Sequence, residues 1–241
     1  MANIYDLKDF GALLKENSYA GRGIAVGKSE NGEFAVTAYF IMGRSANSRN
    51  RVFVEKENDE VIIYPFDESK VEDPSLIIYS PIKKINNSLI VTNGDQTDTI
   101  YNFIKDNKSF EDALETREFE PDAPNFTPRI SAIMNFSDSN FSYKMSILKS
   151  EDEKGSECAR YTYSYKSING MGSFIHTYNH DGNPLPTFTG EPHRIKIPDS
   201  IDEFTTTIWN SLNEENKISL CVKYINLKTM KSQTRIINKN K

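Results

Sequence analysis

The order in which strand-like and helix-like runs follow one another along these 241 residues constrains the fold more than any single motif does. Ile4, Leu7, Phe10, Leu13 and Leu14 recur near helical spacing and predict a leading amphipathic helix over 4–15. Strand-like runs follow at 20–27, 34–43, 51–56 and 60–66, with Asn31 and Gly32 in the first hairpin turn and Asp59 and Glu60 in a later one. Short apolar runs at 76–79 and 89–91 read as further buried strands. The pattern then changes: polar residues 93–98 cap a helix with Ile100, Phe103 and Ile104 on its apolar face, and Phe110, Ala113 and Leu114 mark a second. A proline-rich connection at 120–128 leads to strands at 129–136, 141–149, 158–165 and 173–179. A long loop at 180–192, a helix near 200–212 and two strands close the chain. Strands and helices arriving in blocks predict a layered α+β domain, because βαβ units would interleave them. No repeat or clear linker divides the chain, so a single domain is expected.

Composition excludes several function classes. A net charge of -5 argues against a general nucleic-acid surface, which needs a basic patch. No run of about 18 apolar residues suggests a membrane span. The opening MANIYDLKDFGALLKENS lacks a basic region followed by an apolar stretch, and Cys158 and Cys221 are too few for a disulfide framework or a zinc site. A cytoplasmic protein with reduced thiols, no metal and no cofactor is the expectation. His176 and His180 have the spacing of two ligands on a helical face, but the residues around them favour a strand running into a turn. GRGIAVGKS, at 21–29, resembles a phosphate-binding P-loop, yet the position five before Gly27 is Arg22 rather than the required glycine. The stretch reads instead as a short buried strand and a turn.

Arginine is distributed unevenly. Four of the nine, Arg22, Arg44, Arg49 and Arg51, fall within thirty residues of a chain that otherwise prefers lysine. A planar guanidinium suits phosphate or carboxylate. Composition alone leaves a small-anion site and a solvated turn equally open. Two further segments concentrate polar groups: NGDQTDT at 93–99, a helix amino terminus, and NFTPRI at 125–130, an arginine at a strand start. Each also has a plain structural role, as cap, first-turn charge or surface ion pair.

Taken together, these segments resemble the archaeal-type IMP cyclohydrolase family. The matching stretches are YAGRGIAVGK (19–28), AYFIMGRS (38–45) with NR at 50–51, TNGDQTDTI (92–100) and NFTPRISA (125–132). The loop TYNHDGNPLPTFTGEP (177–192) is similar to the bacterial branch of that family. The resemblance implies a four-layer αββα sandwich of the N-terminal-nucleophile hydrolase type over residues 19–241, preceded by a short helical extension at 1–18. It also implies closure of 5-formamidoimidazole-4-carboxamide ribotide to inosine monophosphate with loss of water, without a cofactor. The partner is then a purine mononucleotide, in a protein whose sheet edges and aromatic residues predict a homo-oligomer.

The site carried over by the resemblance has Tyr39, Arg44, Asn93 and Asp98 as the reacting set. Tyr39 and Asn93 would orient the formyl group and donate to its oxygen, and Asp98 is the acid–base candidate. Arg22, Ser45, Arg51, Thr97, Arg129 and Glu191 would contact the substrate, with Arg49 an alternative to Arg51 because the loop between Arg44 and Arg51 is longer than the archaeal version. Two other readings stay open: a non-catalytic purine-nucleotide-binding protein, or an amide hydrolase of the same fold. The second would need a new amino terminus at Ser18, because Tyr19 stands where such enzymes carry a nucleophile.

Overall fold

A computed structural model describes residues 5–71 and 78–240. Two antiparallel sheets carry the chain. The first has strand order β11-β10-β1-β2-β12-β13, and the second runs β3-β4-β5-β6-β7-β8-β9 as a meander. In the first sheet β1 is Arg22–Lys28, β2 Phe34–Met42, β10 Met171–His176, β11 His193–Lys196, β12 Lys217–Asn226 and β13 Ser232–Asn238. In the second, β3 is Val52–Glu55, β4 Val61–Tyr64, β5 Ile82–Ile85, β6 Ser88–Thr92, β7 Arg129–Ser137, β8 Asn140–Ser150 and β9 Cys158–Lys166.

Strand alternation sorts the side chains into layers. Ile24, Val26, Tyr39 and Ile41 point from the first sheet into one core, where they meet Val91, Ile130, Ala132 and Met134 of the second. The intervening residues Ala25, Val36, Phe40 and Phe174 face outward, against the helices α1 (Phe10–Glu16) and α5 (Ile201–Ser211). On the far side, Ile90, Ile133 and Leu148 face α3 (Gln96–Lys105) and α4 (Phe110–Glu115). A fully buried aromatic or aliphatic side chain contributes about 1.5–3 kcal/mol. Phe10, Leu14, Phe204 and Ile208 are therefore enough to weld α1 and α5 to the sheet. The helix α1, inside the stretch expected as a helical extension, packs on the outer face of the first sheet. No helix among the described residues is long and apolar enough to cross a membrane.

Several sequence expectations shift. The leading helix starts at Phe10, later than residue 4, because Asp9 caps it by accepting from Ala12 N at 2.7 Å. Lys8 just ahead is extended and bridges Ile195 of β11. Of the strand expected at 76–79, Leu76 and Ile77 lie outside the described residues, while Ile78 and Tyr79 are in no strand. The strand expected to reach residue 179 stops at His176, and Tyr178 then bridges Thr187 of its own loop. Strands β5 and β11 have no counterpart in the sequence reading.

Candidate active site

Arg22 opens β1 on the inward stripe two positions before Ile24, so its guanidinium enters the space between the sheets. It donates to the carbonyls of Met42 and, at 3.4 Å, of Gly21. Its strongest electrostatic neighbours are the phenols of Tyr39, Tyr79, Tyr19 and Tyr178. Burial lowers the Arg22 pKa, and those phenols more than offset it, so the net shift is upward. Arg51 joins the same space, and its pKa is lowered by burial and by the Arg22 cation. Its Nε is buried, with no hydrogen-bond partner among the described residues. Two guanidiniums brought this close repel each other unless an anion is shared between them.

Tyr39, fully buried at the centre of β2, lies 3.1 Å from Tyr79 Oη, which donates to Asn93 O at 2.7 Å. A carbonyl only accepts, so the Tyr79 hydrogen is spent there and the Tyr39 hydroxyl donates to Tyr79. The relay ends on a backbone oxygen and delivers no proton onward. Burial, with Tyr79 beside it, raises the Tyr39 pKa well above the ordinary phenol value, so Tyr39 stays neutral.

The Asn93 side chain braces the entry to β7. Its oxygen accepts from Ile130 N at 2.9 Å and Gln96 Nε2 at 3.0 Å, and its nitrogen donates to Pro128 O at 2.8 Å. Arg129 then turns toward the amino end of α3, donating to Asp95 at 2.7 Å and Gln96 at 2.8 Å, with Glu120 as an ion-pair partner at 2.9 Å. Gly94 makes this possible: a Cβ there would stand 2.6 Å from Arg129 Nη1. A cavity of about 340 Å³, lined in part by Arg117, Phe119, Arg129 and Arg160, opens beside this knot.

The rim is aromatic. Tyr19 stacks on Tyr178 with ring centroids 5.9 Å apart, and the Arg44 guanidinium lies 4.9 Å over the Tyr19 ring. Arg44 also donates to Asp181 at 2.6 Å and to Gly182 O at 2.9 Å, which ties it to the 177–192 loop. Asn17 sets both tyrosines, accepting from Tyr19 N and donating to Tyr178 O, each at 3.0 Å. Tyr178 Oη meets Thr127 Oγ1 at 2.6 Å.

A family model described as IMP cyclohydrolase-like protein matches residues 19–230, nearly the whole chain. The chain belongs to this IMP cyclohydrolase-like family. A protein of Methanococcus aeolicus named IMP cyclohydrolase is 36% identical over 121 residues, covering 48% of this chain and 58% of the relative. One of Methanococcus maripaludis is 32% identical over 159 residues, covering 63% and 76%. One of Methanosphaera stadtmanae is 34% identical over 123 residues, covering 48% and 58%. The chain thus spans little more than half the length of two of these three relatives.

Of the residues singled out from the family resemblance, Arg22, Tyr39 and Arg51 share one buried cluster, with Asn93 joined to it through its carbonyl and Arg44 at the rim. Arg49 is exposed, donating from Nε to Gly43 O, so Arg51 is the arginine that reaches the cluster. Ser45 caps the short helix α2 (Ala46–Arg49), and Thr97 is buried against Thr92, their hydroxyls 2.6 Å apart. Asp98 stands elsewhere, 61% exposed and paired with Lys83 at 2.8 Å. Glu191 pairs with Arg194 at 3.0 Å on the surface. Sequence reasoning missed Tyr79, Glu120 and the Tyr19–Tyr178 pair. Only the acidic residues of the proline-rich connection hinted at Glu120.

Proposed function

We propose that this member of the family closes 5-formamidoimidazole-4-carboxamide ribotide to inosine monophosphate, releasing water. The observation that carries this reading is the pair Arg22 and Arg51, two cations held together among phenols and carbonyls inside the family-matched region. The helix–sheet–sheet–helix layering supports placing the fold with the N-terminal-nucleophile hydrolases. Tyr19 is internal to the chain and its N–H is bonded to Asn17, so in this reading it walls the site rather than acting as a terminal nucleophile.

Both reacting groups belong to one molecule, so holding them in contact supplies much of the rate. Arg22 and Arg51 take the anionic and carbonyl oxygens of the nucleotide, where preorganised cations act strongly in a site shielded from water. Tyr39, its hydrogen given to Tyr79, keeps its oxygen as an acceptor beside the arginines. Asn93 and Arg129 hold the β6–α3 and β7 segments together, and the Tyr19–Tyr178 pair walls the opening. The tyrosines around Arg22 and the stacked rim suit a flat heterocycle bearing a phosphate.

The test is to incubate the purified chain with the formamido ribotide and follow inosine monophosphate against the spontaneous reaction. Acceleration well above background is expected. Intact, folded protein that gives none ends the reading. Nucleotide binding without turnover would assign the chain as a non-catalytic binder.

A further inference from the structure

The cavity of about 340 Å³ beside the Arg129 knot lies outside the space between the sheets. Along β7, Ile130 points into the inner core and Ile133 toward the helices, so Arg129 shares the helix-side stripe with Ile133. Register carries that stripe across the sheet: Arg129 pairs with Leu148 on β8, and Leu148 with Arg160 on β9. Leu148 is packed in the helix-side core, so Arg129 and Arg160 stand on the face of the sheet turned away from Arg22 and Arg51. Arg117, just past the end of α4, and Phe119 complete the lining.

The three guanidiniums are unequally matched. Arg117 Nη2 reaches both oxygens of Asp95 at 2.6 Å, and Arg129 makes its contacts to Asp95, Gln96 and Glu120 through Nη1. Arg129 is 8% exposed, yet its Nε is buried with no hydrogen-bond partner among the described residues. Arg160 is held by carbonyls, donating from Nη1 to Cys158 O at 3.1 Å and from Nη2 to Arg117 O at 3.0 Å. Its carboxylates, Glu115 at 3.7 Å and Glu118 at 3.9 Å, lie beyond hydrogen-bonding distance on side chains that are mostly exposed. The Arg160 Nε is likewise buried and unpartnered among the described residues. Buried polar atoms are nearly always bonded, so two such nitrogens at one cavity point to an acceptor that the chain does not itself supply.

We propose that this cavity is a second anion site, separate from the arginine–phenol cluster, and that it takes a small phosphate-bearing molecule. The proposal does not depend on the ring-closure reading. Planar forks arriving from two strands and a loop suit the several oxygens of a phosphate group, which can accept from more than one guanidinium at once. Glu115 and Glu118 oppose the anion, but their exposed pairs with Arg160 contribute little, so they yield to it and turn into solvent.

Calorimetric titration of the full chain with sodium pyrophosphate, and separately with ribose 5-phosphate, at fixed ionic strength tests the proposal. Saturable binding of at least one is expected, and their relative affinity distinguishes a bare phosphate ligand from a sugar phosphate. Arg51→Met touches none of the three arginines and should leave the affinity within about threefold. Arg160→Gln should weaken it about tenfold or more, as loss of a charged hydrogen-bonding partner does. Replacing both Glu115→Gln and Glu118→Gln removes the competing carboxylates and should tighten it about two- to fivefold. No saturable binding of either compound overturns the proposal. So does binding that a folded Arg160→Gln protein keeps, or that Arg51→Met abolishes. If Arg160→Gln does not fold, the double glutamine variant decides, and an affinity that is unchanged or weaker there overturns the site.

Discussion

Two sites in this molecule hold inward-facing cations and treat them in opposite ways. Lys223, on β12, is fully buried, and the protein neutralises it: Glu55 lies at 2.9 Å, Asp59 at 3.7 Å and Thr234 Oγ1 at 2.8 Å. That cluster ties β12 and β13 to the β3–β4 hairpin of the other sheet. Arg22 meets phenols and the carbonyls of Gly21 and Met42 instead, and Arg51 meets phenols and the Arg22 cation. Desolvating a charge is costly, and removing one partner of a buried pair leaves the other uncompensated. Lys223 therefore contributes to folding, whereas the arginine pair gains most from an anion brought by a ligand.

Substitutions can break or sharpen that contrast. Arg51→Met should reduce ring-closure activity about 10²–10³-fold, as loss of a preorganised donor does. Its melting temperature should hold or rise, because Arg22 loses a repelling neighbour. An Arg51→Met protein that loses stability rather than activity would erase the distinction. Lys223→Met should do the reverse, costing about 3 kcal/mol of stability in chemical denaturation, near the low end for a broken pair because Glu55 is 45% exposed. The activity of its folded fraction should stay near wild type.

A smaller effect comes from acid. His176, 4% exposed, has its pKa lowered by burial to about 3, and His193 beside it is lowered to about 4. His176 Nδ1 lies 2.8 Å from Tyr178 O and so carries the hydrogen, while His193 Nδ1 accepts from Lys8 Nζ at 3.2 Å. Unfolded histidine binds a proton near pH 6.5 and these folded ones do not, so the unfolded state holds more protons below that pH. Stability is full above about pH 6.5 and falls as pH drops toward the folded values, by about 1.4 kcal/mol per pH unit for His176. Denaturation midpoints between pH 7 and pH 4 would show it, and His176→Phe should flatten the slope. Smallest of all, Asp98→Asn should change kcat by less than about twofold, since surface substitutions are usually nearly neutral. A large loss there would return the acid–base role to α3.

Much of the layering was legible because buried strands and amphipathic helices announce themselves by period. The strands that escaped are short and charged: Lys83 and Lys84 interrupt β5, and β11 reads HRIK. Both are defined by pairing with neighbours rather than by their own apolar content. At the site, Arg22, Tyr39 and Arg51 came from recurring motifs, and the choice between Arg49 and Arg51 fell to the α2 turn, whose Ser45–Ser48 capping box keeps Arg49 outside. Tyr79, Tyr178 and Glu120 were illegible for a different reason. Each lies in a connection, and only the docking of distant segments brings it to the arginines.

The Asn17 clamp carries a mechanical consequence. One short amide grips the backbone on either side of the tyrosine stack, and its own helix is packed on α5 and moored through Lys8 to β11. A sliding or tilting of that outer helix would be transmitted to the stacked pair of rings, one of which lies beneath Arg44. The segment ahead of the family-matched region thus bears directly on the two rings, and through them on the surroundings of Arg22.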